Sequence, residues 1–197
     1  MTGSVRVLPP PPSIVGWIAA GALDADLAAV VWLLAEGGVS VVVAGAPGSG
    51  RSALLGAIRE LATAGSRPTM PSRLPGIVEG RSLEEVQAHL ALALPGASED
   101  ELRGLGVVLV LEVAATGRRR VVAAHYVRPL ERDGHGHVQR RPPALLAAWD
   151  AAREDFDDYA WGIVTELAAR VGLEPAEFDR ERTRRATHLA GLVATLH

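Results

Sequence analysis

The chain has 197 residues, of which 48% are apolar, 22% charged and only 4% aromatic, and its formal net charge is -3. That is the length of one domain, or of one with a small appendage, and the composition is globular, with Leu, Val and Ala left to fill the core. The absence of cysteine excludes a disulfide framework, a thiolate nucleophile and a sulfur-ligated metal, and the acidic balance gives no global electrostatic reason to bind nucleic acid or an anionic membrane.

Residues 1–12 end in four consecutive prolines, Pro9 to Pro12, which cannot donate backbone hydrogen bonds and favour an extended tail. The apolar stretch Ile14 to Leu23 stops at Asp24 and Asp26, too short for the roughly 18–20 apolar residues of a membrane span. Arg6 and Ala20-Gly21-Ala22 give it part of a signal-peptide outline, but the prolines interrupt that outline, so a cytoplasmic location is expected. From Asp24 the pattern turns helical, with Leu27, Val30, Val31 and Leu34 on one face, Asp24 as cap and Gly37-Gly38 as stop. Val39 to Ala44 is β-branched and bounded by glycine, as a buried parallel strand would be.

That strand runs into Gly45-Ala46-Pro47-Gly48-Ser49-Gly50-Arg51-Ser52 and then into the helix-forming Ala53 to Leu61. Strand, glycine-rich turn and helix stand in the order of a phosphate-binding loop, GxxxxGK[ST]. In such a loop the glycines let backbone N–H groups turn inward, the helix N-terminus adds positive potential, and the hydroxyl holds Mg²⁺. Gly45, Gly48 and Gly50 supply the permissive backbone here, Ser52 occupies the Mg²⁺-ligating position, and Arg51 replaces the lysine. All 20 basic residues are arginine, so this replacement reflects either compositional drift in a GC-rich genome or a real change of chemistry. Arginine keeps the charge, but its planar fork places it differently from an ammonium. Phosphate binding is therefore expected to survive more readily than hydrolysis.

Ser66 to Gly80 is rich in Pro, Ser and Gly and reads as loop. Ser82-x-x-Glu85 opens a helix to about Leu94, and Ser98-x-x-Glu101 opens a shorter one. Val107 to Val113 and Arg120 to Val127, separated by a turn containing Gly117, form a hairpin on the economical reading. The alternative makes Val108 to Leu111 a Walker B strand ending in the acid Glu112, about 60 residues after the loop; Glu112 would then orient the attacking water or hold Mg²⁺ indirectly. Residues 131–143 read as a linker and 144–197 as a largely helical extension with breaks near Asp157-Asp158 and Gly172 to Pro175.

The segment Ile14 to Leu61, with "GALDADLAAVVWLLAEGG" and "VSVVVAGAPGSGRSALLGAI", resembles the type II/IV secretion-system ATPases, the hexameric P-loop motors of pilus assembly, secretion and conjugation. "EEVQAHLALALPGASEDELRGLGVVLVLEVAATGRRRVVAAHYVRP" is similar to the two helices and β-hairpin that follow the family's histidine motif, and "FDRERTRRATHLAGLVATL" to an arginine-rich terminal helix of some members. The family's acidic/arginine motif, Gly-Glu Walker B and Thr-x-His-Ala box are not legible between Leu61 and Arg81. The resemblance implies a reduced RecA-like P-loop NTPase core over residues 13–130, binding ATP or ADP with Mg²⁺ through residues 45–52, with weak or absent hydrolysis. It further implies a homo-oligomer or secretion and pilus components as partners; the acidic balance and the short apolar runs add the expectation of no nucleic acid and no membrane insertion. Gly45, Gly50 and Ser52 match the family motif, and Arg51 is an altered match. Arg51 and the missing motifs equally suit a non-catalytic assembly subunit that keeps the fold.

Three other groups of residues carry weaker signals. His125, His135 and His137 make a weak metal set, the last two being an HxH pair on a glycine-rich loop in a chain without cysteine. Arg118-Arg119-Arg120 and Arg140-Arg141 read as a solvated hairpin tip and a solvated linker, or as contacts to phosphate, a neighbouring subunit or nucleic acid. Trp149, Phe156, Tyr159 and Trp161 are expected to pack the C-terminal helices. There is no GxSxG to support covalent hydrolase chemistry, and no lid or acceptor motif for a phosphotransferase.

Overall fold

A computed structural model describes residues 11–63, 76–132, 134–135 and 137–196. Most of the Pro-rich tail, and most of the stretch between Leu61 and Arg81, lie outside the described residues.

The chain enters through α1 (Ile14–Ala19), capped by Ser13, and α2 (Ala25–Glu36), capped by Asp24, whose carboxylate accepts from the Leu27 N–H at 2.7 Å. As the glycine pair predicts, α2 stops at Gly37. Strand β1 (Val41–Gly45) follows, then α3 (Arg51–Thr63), β2 (Ile77–Val78), α4 (Leu83–Ala93) and α5 (Glu99–Arg103). The predicted caps of α4 and α5 are both present, with Ser82 Oγ accepting from the Glu85 N–H and Ser98 Oγ from the Glu101 N–H. Next come β3 (Val107–Val113) and β4 (Arg119–Tyr126), the minor pair β5 (Glu131–Arg132) and β6 (Val138–Gln139), then β7 (Ala144–Asp150) and β8 (Asp155–Asp158). A 3₁₀ turn (Ala160–Ile163), α6 (Val164–Val171) and α7 (Pro175–Ala194) complete the chain.

The fold is α/β, with a mixed six-stranded sheet in the order β2-β1-β3-β4-β7-β8. β1 runs parallel to β2 and β3, and the remaining pairings are antiparallel. One sheet face packs Val43, Leu109, Leu111 and Ala124 against Leu27, Leu34, Leu54 and Ile58 of α2 and α3. The other packs Val42, Ala44 and Val108 against Val86 and Leu90 of α4. β1 and β3 are thus buried on both faces, which is why their sequences are continuous Val/Leu runs rather than alternating ones.

Two sequence expectations are corrected. Residues 144–150 and 155–158 are strands joined by a turn, not helix. Ala-rich ALLAAWD has high helix propensity, but pairing with β4 on one side and β8 on the other satisfies its backbone in the sheet, and this tertiary context overrides propensity. Residues 77–78, read as loop, add a parallel strand beside β1. The helices that remain of the expected extension are also part of the main core. Leu167, Phe178 and Leu189 from α6 and α7 lie in the same buried cluster as α2. The break at Gly172 is real, with the glycine in the left-handed region at φ 73° and Pro175 opening α7.

Charged ties reinforce this arrangement. Arg185, 9% exposed, pairs with Glu36 and lies over the Trp32 ring at 4.5 Å, joining α7 to α2. Arg182 reaches Asp158 at 2.9 Å, and Arg128 reaches Glu166 at 2.7 Å, joining the helices to the sheet.

Asp24 allows a test. Burial raises its carboxyl above the ordinary carboxylate value, with Asp26, Asp158 and Asp155 adding to the effect against the opposing Leu27 N–H. A carboxyl whose folded pKa exceeds the unfolded value binds more protons when folded, so its contribution to stability falls as pH rises between the two values. Asparagine keeps the cap without the charge. Asp24→Asn is therefore expected to equal or exceed wild type in melting temperature at pH 7 and to lose that advantage near pH 3; thermal melts showing the reverse trend would refute the assignment.

Candidate functional site

Residues 45–52 lie where β1 meets α3, at the C-terminal end of a parallel strand. The Ser49 N–H donates to the Ala46 carbonyl at 3.1 Å, and the Leu54 N–H donates to Gly50 at 3.0 Å as the first bond of α3. Ala46, Pro47 and Gly48 are exposed, whereas Ser49 is 1% exposed. A Cβ at Gly45 would stand 2.4 Å from the Leu111 carbonyl oxygen, so close approach of β3 requires glycine there. Gly50, at φ 101°, is enclosed by the Trp17 ring and Arg119.

The Ser49 hydroxyl is buried without a hydrogen-bond partner and points into the curl, 2.8 Å from the space a Gly45 Cβ would take. An unmatched buried hydroxyl costs about 1–3 kcal/mol, and such a group inside a glycine cradle suits a ligand that supplies acceptors. Arg51 opens α3 half-buried, and Ser52 is exposed in the first helical turn. The first N–H groups of a helix lack intrahelical partners and carry partial positive charge. Cradle, helix terminus, arginine and hydroxyl therefore converge on one exposed loop, and the residues present fit a phosphate group with Mg²⁺.

Glu112 joins features of both readings made for it. β3 is one arm of an antiparallel hairpin, with Glu112 opposite Arg120, and β3 is also the parallel neighbour of β1, with Gly45 opposite Leu111. Glu112 thus stands one residue beyond the strand pair that opens the loop. It is exposed, with no ion pair among the described residues.

Two of the three hairpin arginines are partly buried and engaged within the fold. Arg119 Nε donates to the Ser49 carbonyl at 2.8 Å, holding the loop from β4. The Arg120 guanidinium lies 3.4 Å over the Trp149 ring, while Arg118 is exposed. The sequence singled out the triplet, but the alternation that separates its members becomes visible only with the strand register. In the linker, Arg140 pairs with Glu99 at 2.9 Å and Arg141 with Glu166 at 3.3 Å. The aromatic residues also differ from expectation. Trp149 and Phe156 form a cross-strand pair between β7 and β8, with ring centroids 5.0 Å apart, whereas Tyr159 and Trp161 are exposed.

His125 lies in β4 opposite Val108, and desolvation pulls its imidazole below the ordinary value against a weaker opposing effect of Glu84. His135 and His137 face each other on the β5–β6 excursion with rings 6.3 Å apart. Among the described residues, no three His, Asp or Glu side chains converge as metal ligands, and no helix is long and apolar enough to cross a membrane.

The sequence matches no protein-family model and no curated protein.

Proposed function

We propose that the chain binds ATP or ADP with Mg²⁺ through residues 45–52 and hydrolyses the nucleotide weakly or not at all, as a shortened form of a secretion or pilus-assembly ATPase would. The observation that supports this most is the loop itself: a glycine cradle between a parallel strand and α3, with a buried, unpartnered Ser49 hydroxyl inside it. In this reading the backbone N–H groups of Gly48 and of residues 50–52 bind phosphate, Arg51 adds charge, and the Ser52 hydroxyl ligates Mg²⁺. Bound Mg²⁺ would neutralise charge on the phosphates. Arg119 Nε donates to the Ser49 carbonyl and so ties the loop to β4. Glu112, one residue beyond the Gly45–Leu111 pair, is the candidate acid to orient water if hydrolysis occurs.

Calorimetric titration with Mg-ATP and Mg-ADP tests the proposal. Micromolar affinity is expected, weakened about tenfold or more by Arg51→Ala, since charge-assisted contacts to phosphate contribute about 1.5–3 kcal/mol. Ser52→Ala should weaken the dependence on Mg²⁺. Affinity no better than millimolar in the wild type would sink the reading. If turnover is measurable, Glu112→Gln and Arg51→Lys should change it; no change in either removes both residues from catalysis.

The second reading is a non-catalytic assembly subunit, favoured by the exposed rings of Trp161 (70%) and Tyr159 (43%) beside the C-terminal helices. Tight nucleotide binding without phosphate release would join the two readings in a nucleotide-gated scaffold.

A further inference from the structure

A phosphate-binding loop works only if its peptide planes are turned with N–H groups toward the anion. Within residues 45–52 the planes on either side of Ser49–Gly50 are each held by a backbone bond. The Ser49 N–H donates to the Ala46 carbonyl at 3.1 Å, and the Gly50 carbonyl accepts from the Leu54 N–H at 3.0 Å. The plane between them, made of the Ser49 carbonyl and the Gly50 N–H, has no backbone partner among the described residues. A side chain 70 positions away holds it instead: Arg119 Nε donates to the Ser49 carbonyl at 2.8 Å.

That plane is also the one the local backbone restrains least. Turning a peptide over exchanges the places of its carbonyl and N–H, and chiefly changes ψ of the residue before it and φ of the residue after it. Gly50 stands at φ 101°, and glycine populates positive φ about as readily as negative, so no Cβ at residue 50 opposes the reversed plane. In a planar trans peptide the carbonyl and the N–H point in opposite directions. A hydrogen bond that fixes the Ser49 carbonyl toward Arg119 therefore fixes the Gly50 N–H on the far side of the same plane. The reversed plane would put the partial negative charge of a carbonyl where that N–H stood.

Arg119 is itself firmly mounted. It opens β4 opposite Val113 of β3, and two residues on, the Val121 N–H donates to the Ala22 carbonyl at 2.7 Å, tying the strand to the α1–α2 junction. Arg119 Nε and Cδ lie 3.0 and 3.2 Å from the space a Gly50 Cβ would take. A side chain at residue 50 would thus push Arg119 off the carbonyl it holds.

We propose that Arg119 is a positioning residue of the phosphate site: its bond to Ser49 holds the Ser49–Gly50 peptide in the orientation that offers the Gly50 N–H to a phosphate oxygen. This role rests on the phosphate-loop reading of residues 45–52. Arg119 acts through its Nε–H rather than through its charge.

Glutamine separates the two, because its Nε2 hangs on Cδ at the place of the arginine Nε and donates without charge; methionine matches the chain length with neither donor nor charge. Titration calorimetry of the full chain with Mg-tripolyphosphate and Mg-ADP is expected to show Arg119→Met weakened about tenfold or more, with Arg119→Gln recovering most of that loss. Amide NMR gives a readout that lost stability alone would not move. Saturating Mg-tripolyphosphate should shift the Gly50 amide proton strongly downfield in wild type and Arg119→Gln, and not in Arg119→Met. Wild-type affinity in Arg119→Met overturns the proposal, and so does an Arg119→Gln as weak as Arg119→Met, which would make Arg119 a charge acting on the phosphate itself. If Arg119→Met does not fold, the wild-type spectrum decides: a Gly50 proton unmoved at saturation overturns the proposal and leaves the phosphate loop standing. If the wild type binds neither ligand, the phosphate loop is overturned and this role of Arg119 with it.

Discussion

Gly45→Ala is expected to destabilise the protein by about 3 kcal/mol or more and to abolish any ligand binding at the loop. The added methyl would stand 2.4 Å from the Leu111 carbonyl oxygen and 2.8 Å from Ser49 Oγ, with φ at 155°. The first neighbour is backbone in the centre of the sheet and cannot rotate away. Relief would require β1 and β3 to separate at the Gly45–Leu111 pair, and an overpacked, strained site of this kind costs several kcal/mol. For a chain of this length the melting temperature should fall by about 6–12 °C. Gly56→Ala is the control: it lies inside α3, and a Cβ there meets nothing within 4 Å, so alanine should stabilise by about 0.5–1 kcal/mol through helix propensity. Equal melts for the two variants would show that the Gly45–Leu111 contact is not made in solution.

Phe178→Ala is expected to lower stability by about 3–5 kcal/mol, the range for truncating a buried aromatic side chain. Phe178 is fully buried and belongs to the same core as Leu34, Leu54 and Leu109, although it lies 120 or more residues from the first two. Because α7 packs on α2 through this core and through the Arg185 to Glu36 pair, the variant should lower the single unfolding transition as a whole. A main transition left at the wild-type temperature, with only helical signal lost early, would mean that α7 is an appendage. Leu192→Ala, at a side chain 39% exposed near the end of α7, should shift the melt by no more than about 1 kcal/mol.

Several local features were legible from sequence because their causes are local. Asp24, Ser82 and Ser98 cap the helices their side chains can reach, and Gly38 and Gly172, both at positive φ, follow helix ends where the chain turns left-handed. β1 and the turn into α3 were marked by β-branched residues and glycines within a dozen positions. The hairpin of β3 and β4 was marked by its turn. The strands β7 and β8 were not, because nothing in ALLAAWD itself opposes helix; what makes it a strand is the free edge of β4, built about 20 residues earlier. The site divides in the same way. Residues 45–52 could be named from the chain, whereas the roles of Arg119 and Arg120 depend on strand register.

The sequence by itself therefore determined the short-range facts: an α/β pattern, a glycine-rich loop between strand and helix, an arginine in place of the loop's lysine, and a chain without cysteine or lysine. Tertiary structure alone decided that residues 144–150 and 155–158 extend the sheet, that the C-terminal helices close the main core, and that Glu112 stands one step beyond the strand pair opening the loop. The physical reason is range. Caps, turns and glycine conformations are fixed by interactions within a few residues, but the fate of an ambiguous apolar segment is set by which unsatisfied edge or apolar face is nearest in space.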